Sequence, residues 1–169
     1  MQVSINIKDA LTKAIEAEWE GYNFYSMASH SCVDKKGKEV FETLAQEELH
    51  HVNFLRHQHK SIIEIGKTDP DFKLVAKVML DIENPIFSDE IKSRIDDAHF
   101  EMTALAVGIQ LELSAMEFYK KAAIETTDEY AKSFFTNLAE WETSHYESLL
   151  RQQTILKDEY WSNNNFAPF

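Results

Sequence analysis

The sequence predicts an all-α protein: a four-helix bundle built as two antiparallel helix hairpins, joined by a long crossover that contains a short helix. Three observations predict it. Apolar residues recur at three- and four-residue steps in four long stretches, the spacing of one helix face. Only four Gly and three Pro are present, too few for the turns of a strand-rich fold. Two tight turns flank a connection of roughly twenty residues, long enough to return along a whole helix. The main alternative for the same hairpins is a domain-swapped or helical-repeat arrangement.

The elements follow in order. Ser4 or Asn6 can cap a first helix running to about Ser31. The polar stretch Cys32–Gly37 makes a turn, and Asp34 can cap a second helix ending near Gly66. Asp69-Pro70 reads as a cap with proline at the first helical position, opening a short helix around Phe72, Val75, Met79 and Leu80. Asn84-Pro85 ends it. Ser88 then caps a long third helix to about Glu125, Thr126-Thr127 breaks it, and a fourth runs to about Tyr160. This gives one domain over residues 1–160 and an aromatic tail over 161–169, in which Trp161, Phe166 and Phe169 could dock on a partner subunit or on the bundle itself.

Composition excludes several function classes. Seventeen Lys and Arg against 29 Asp and Glu give a net charge of −12. Such a chain offers no basic footprint for nucleic acid or anionic membranes. One cysteine, Cys32, rules out an intramolecular disulfide and any Cys-x-x-Cys metal knuckle, and suits a reducing cytosol. The start lacks a signal-peptide pattern and no apolar run approaches a membrane span, so a soluble, unprocessed, cytoplasmic protein is expected.

The chemistry lies in an internal repeat. Glu18 to Tyr25 aligns with Glu112 to Tyr119, and Leu44 to His51 with Leu138 to His145, both at a separation of 94 residues. The repeated unit is a glutamate followed, thirty positions on, by Glu-x-x-His: Glu18 with Glu48 and His51, then Glu112 with Glu142 and His145. Each of these residues interrupts an apolar stripe and so points inward. Glu18 falls among Leu11, Ala14, Ile15, Tyr22 and Tyr25; Glu48 and His51 among Phe41, Leu44 and Leu55. Glu112 falls among Leu105, Gly108, Met116, Tyr119 and Ala123; Glu142 and His145 among Phe135, Leu138 and Leu149. The pairs lie at matching heights, so all six side chains converge at mid-bundle.

Four carboxylates in an apolar core cannot stay ionised unaided, because desolvation and mutual repulsion would cost several kcal/mol per charge or force protonation. No Lys or Arg lies on the inner stripes nearby. Two divalent cations would balance the charge, and Glu-x-x-His presents oxygen and nitrogen donors on one helix face. Oxygen-rich ligation with one imidazole per metal favours iron or manganese, with zinc a frequent substitute.

The doubled Glu…Glu-x-x-His pattern resembles the ferritin-like di-iron carboxylate proteins. The pairs Phe24-Tyr25 and Phe118-Tyr119 and the Leu-Ala-x-x-Glu-x-x-His blocks resemble the rubrerythrin branch, over about Ile7 to Glu159. The resemblance implies a ferritin-like four-helix bundle with two iron ions, bridged by Glu48 and Glu142. Glu18 with His51 would complete one ion, and Glu112 with His145 the other. Tyr25 and Tyr119 would donate hydrogen bonds to ligating carboxylates. Rubrerythrins usually append a rubredoxin domain with four cysteines, for which this chain has neither the length nor the cysteines. They also carry a glutamate one turn after the third-helix ligand; here that place is Ala115, and Glu117 is at the wrong angle to replace it. The redox-linked metal shift tied to that ligand, and peroxidase activity with it, become points for experiment. Bacterioferritins use the same six ligand types, but a cage normally needs a fifth helix, and the tail after Tyr160 is too short for one.

Other residues have plainer readings. The run Glu47-Glu48-Leu49-His50-His51 contains a second Glu-x-x-His, Glu47 with His50. The 94-residue separation selects Glu48 and His51, leaving Glu47 and His50 to solvent or an interface. His57, His59, His30 and His99 read as surface residues, Glu16, Glu20 and Glu101 as solvated, and Cys32 as an inert thiol in a turn. The expected function is a non-haem di-metal oxidoreductase reducing hydrogen peroxide or O₂ with electrons from an external donor protein, with a homodimer implied by the resemblance. The rivals are a ferroxidase or iron-handling protein, and a metal-binding bundle without turnover.

Overall fold

The structure, a computed structural model, describes residues 6–75 and 84–164. Helix α1 (Ile7–Ser31) starts on Asn6, whose side chain accepts from the Lys8 N–H at 3.1 Å. Helix α2 (Lys35–Ile65) starts on Asp34, which accepts from the Gly37 N–H at 2.8 Å. It ends on Gly66, where a φ of 76° favours glycine and the N–H reaches the Ile62 carbonyl at 3.1 Å. The turn is therefore Cys32–Asp34, shorter than expected. Gly37 lies in the first turn of α2, where a methyl group would overlap the Phe87 ring.

The crossover departs most from the sequence reading. No helix opens on Asp69-Pro70; residues 70–75 are turn and irregular backbone. The Asp69 carboxylate is already engaged, accepting from the Asp71 N–H at 3.0 Å and lying 2.8 Å from His57 Nε2. Met79 and Leu80 lie outside the described residues. Nor does Ser88 cap the long third helix: its amide and hydroxyl both donate to Asp34. A short helix, α3 (Glu90–Ser93), and a 3₁₀ turn at Ile95–Asp97 come first. Only then does α4 (His99–Glu125) begin, without a side-chain cap. Helix α5 (Glu129–Asn163) starts on Asp128, which accepts from the Ala131 N–H at 2.8 Å. It continues through Trp161, so that residue is helical; Phe166 and Phe169 lie outside the described residues.

Helix α1 packs along α2 and α4 along α5, and the hairpins meet with α1 against α4. No strand occurs among the described residues, and no helix there is long and apolar enough to cross a membrane. The 94-residue repeat extends into the scaffold. Asp34 and Asp128 occupy equivalent places, and each N-cap carboxylate also accepts from a crossover hydroxyl: Ser88 on Asp34, Thr68 on Asp128 at 2.9 Å. Gln58 and Gln152 are likewise equivalent and buried. Gln58 accepts from the Asp69 N–H at 2.8 Å and donates to the Asp69 and Phe72 carbonyls; Gln152 accepts from the Ile86 N–H at 2.7 Å. The crossover is thus tied to the bundle at both ends.

Two apolar clusters fill the interior. One gathers Tyr25, Phe41, Leu44, Phe87, Leu105 and Leu149; the other Leu11, Phe54, Tyr119, Phe134, Phe135 and Leu138. Their aromatic centres repeat too, with Tyr25 stacked on Phe41 at 6.2 Å and Tyr119 on Phe135 at 6.0 Å.

Asp34 joins two elements, so Asp34→Ala should cost about 2–3 kcal/mol in urea unfolding, combining a lost helix cap with donors left unsatisfied at Ser88. Burial works against its charge, but hydrogen bonds from Ser88 and Gly37 prevail and hold the carboxyl below its usual 3.8. The contribution is complete above about pH 4 and lost as pH falls through the lowered native value.

Candidate metal centre

Four helices deliver side chains to one layer between the apolar clusters. Glu18 comes from α1, Glu48 and His51 from α2, Glu112 from α4, and Glu142 and His145 from α5. None exceeds 4% exposure. The structure brings all six sequence-predicted residues together as two overlapping groups. Donor atoms of Glu18, Glu48, His51 and Glu142 lie within 4.8 Å of one another, and so do those of Glu48, Glu112, Glu142 and His145. Glu48 and Glu142 belong to both groups.

Each histidine turns Nδ1 toward the carboxylates. His51 Nδ1 is 3.2 Å from both Glu18 and Glu142. His145 Nδ1 is 3.1 Å from Glu142 and 3.6 Å from Glu48 and Glu112. The tyrosines act crosswise: the Tyr25 hydroxyl of the first hairpin donates to Glu112 Oε1 of the second, and the Tyr119 hydroxyl donates to Glu18 Oε1. Each fixes one oxygen of a carboxylate and leaves Oε2 facing a histidine. Burial, then the neighbouring Glu112 or Glu18, raises both phenols well above 10, so they remain donors. Small residues make room. A methyl group on Gly21 would come within 3.3 Å of the Glu48 carboxylate, and one on Gly108 within 3.2 Å of the Tyr25 hydroxyl. Gly21 is the counterpart of Ala115, so neither half carries a seventh carboxylate at that place.

The charges balance through protons. Burial, then Glu142, raises the Glu48 carboxyl well above its normal range and Glu112 to about 8. Burial would depress the imidazoliums, but the carboxylates outweigh it; Glu18 leads in raising His51 to about 10, and Glu112 in raising His145 well above its usual value. Burial also opposes the Glu142 charge, yet the His145 imidazole hydrogen-bonded to Oε2 and the His51 imidazole 3.2 Å from Oε1 hold that carboxyl well below the ordinary range. Even so, Glu48 Oε1 and Glu142 Oε1 accept no hydrogen bond among the described residues. Those orphaned oxygens sit on the two carboxylates common to both groups, where cations would satisfy them. The donor set of oxygens with one imidazole per group suits iron or manganese.

Several residues stand otherwise than the sequence suggested. Glu47 is 5% exposed, with Oε2 2.7 Å from His145 Nε2. Its clue was its place beside Glu48 in the repeat; its partner, 98 residues away, was invisible. Glu101 is 1% exposed rather than solvated, paired with Arg94 at 2.5 Å. His57 stacks on Phe72 at 3.8 Å as well as pairing with Asp69, and His59 lies 3.3 Å from Thr12. His30, His99, Glu16 and Glu20 are exposed. Cys32 is buried, and burial pushes its thiol up to about 11, away from reactivity.

A four-helix bundle with such a layer of glutamate and histidine at its middle defines the ferritin-like class. The Rubrerythrin family model matches residues 9–152, and the chain belongs to the rubrerythrin family. Comparison with curated proteins and with solved structures gave no match.

The direction of these shifts sets a pH dependence. Glu112 binds its proton more tightly in the folded chain (about 8 against 4.5), as does His51 (about 10 against 6.5). That stability is present at low pH and lost as pH rises through the folded values, while Glu142 contributes a constant over this window. In chelator, the Tm should fall by roughly 5 °C or more between about pH 6 and pH 9. Scanning calorimetry checks this; a Tm rising over that range would contradict the charge pattern.

Proposed function

We propose that the chain is a di-iron carboxylate oxidoreductase that reduces hydrogen peroxide or O₂ in the cytoplasm, with electrons from a separate donor protein. The observation that carries this reading is the pair of buried four-donor groups sharing Glu48 and Glu142. Glu48 and Glu142 would bridge, Glu18 and His51 would complete one metal position, and Glu112 and His145 the other. Iron so held would supply the electrons passed to the oxidant.

The chain's own residues define the rest. The low exposure of every site residue selects a small substrate, for which O₂ and peroxide qualify. Tyr119 and Tyr25 would hold Glu18 and Glu112 by Oε1, so that each presents Oε2 to its metal position. Protons held at Glu48, Glu112, His51 and His145 would leave as cations enter, keeping the buried layer near neutrality. The same six donor types, with Ala115 in place of a further glutamate, also suit iron oxidation, and that is the second reading.

Elemental analysis of protein prepared anaerobically without added metal should find about two metals per chain, mostly iron. Glu48→Ala and Glu142→Ala should each cut that content by about tenfold or more, because each removes a shared ligand. Stoichiometric consumption of peroxide or O₂ by the reduced protein supports the oxidoreductase. More than two irons per chain together with large assemblies in light scattering, in place of the homodimer implied by the resemblance, supports iron handling. Tight metal that never reacts leaves a binding bundle, and a folded chain without metal overturns the proposal.

A further inference from the structure

The two halves of the site match closely except behind the histidines. His145 Nδ1 faces the carboxylate layer while Nε2 lies 2.7 Å from Glu47 Oε2. The position 94 residues beyond Glu47 is Trp141. Its indole lies against the His51 ring, with centroids 4.9 Å apart and planes tilted by 44°. Glu47 and Trp141 are both buried, at 5% and 7% exposure. The two imidazoles therefore have different neighbours at equivalent positions, a carboxylate at Nε2 of His145 and an indole against the ring of His51.

A carboxylate and an indole do opposite things there. Glu47 accepts a hydrogen bond from Nε2–H, which fixes the tautomer with a free lone pair on Nδ1 and makes that nitrogen a stronger donor. An indole N–H can only donate, and its ring supplies no acceptor of comparable strength. His51 has no such carboxylate in the equivalent place.

We propose that the two metal positions are unequal, that Glu47 and Trp141 make them so, and that the position served by His145 fills first. This rests on the di-metal reading above. Glu47 is a positioning residue that acts through His145 and is not itself a ligand. Loss of such a partner weakens metal binding roughly 10- to 100-fold. The His145 position should weaken by that factor in Glu47→Gln, which keeps the shape and removes the charge.

The test is zinc titration of the metal-free protein, with ¹⁵N-labelled histidine rings followed by NMR. Zinc alone reports on the site without any turnover. In the wild type, the first equivalent should shift the His145 ring nitrogens and show a protected Nε2 proton; the His51 resonances should move only with the second. In Glu47→Gln that order should disappear or reverse. His51 responding first, both rings responding together, or an unchanged order in the variant would overturn the inference while leaving the di-metal reading intact. Failure of zinc to move either ring would overturn both. The wild-type filling order decides the matter even if the variant does not fold.

Discussion

The central constraint on this molecule is the burial of five glutamates and two histidines, none more than 5% exposed, in the middle of a four-helix bundle. Unpaired, such groups would cost several kcal/mol each. The layer is tolerable because most of its members are met by another: Glu18 by His51 and Tyr119, Glu112 by Tyr25 and His145, Glu47 by His145, and Glu142 between the two imidazoles, with one oxygen each of Glu48 and Glu142 left without a hydrogen bond among the described residues. These contacts run between hairpins as well as within them. A slip of one helical turn, about 5 Å, between the hairpins would separate all of the crossed pairs at once.

That demand explains the scaffold around the layer. The register of the hairpins is set by Asp34 and Asp128 at the helix starts, and by Gln58 and Gln152 along the inner faces, each binding crossover backbone or hydroxyls. The crossover thus links the ends of the bundle as well as its halves. The apolar clusters on either side place a tyrosine against the layer, so that the aromatic packing and the polar layer are connected through single side chains.

Much of this was legible in the sequence. The four helices follow from apolar periodicity, and the caps at Asn6 and Asp34 from residue type beside it. The six inward residues follow from a repeat at constant separation, which tests each position against its counterpart. What was not legible depended on partners distant in the chain or in competition with a local signal. Ser88 has the residue type of a cap, yet Asp34 takes its hydroxyl. Asp69-Pro70 has the pattern of a helix start, yet the carboxylate serves the Asp71 amide and His57. Glu101 looked solvated because Arg94 comes back over it from an irregular turn, and Glu47 because His145 belongs to another helix. Local rules describe which backbone a residue prefers; they are silent about which neighbour claims its side chain.

The internal repeat has a further meaning when set beside the place where it fails. One hairpin paired with a copy of itself through a two-fold axis would build the same layer of side chains, but every residue would then appear twice in identical surroundings. Glutamate behind one histidine would oblige glutamate behind the other. With both halves on a single chain, positions 94 residues apart are inherited separately, so Glu47 can stand beside one histidine and Trp141 beside the other. The long crossover is therefore what permits the two halves to differ: it turns an obligatory symmetry into an optional one.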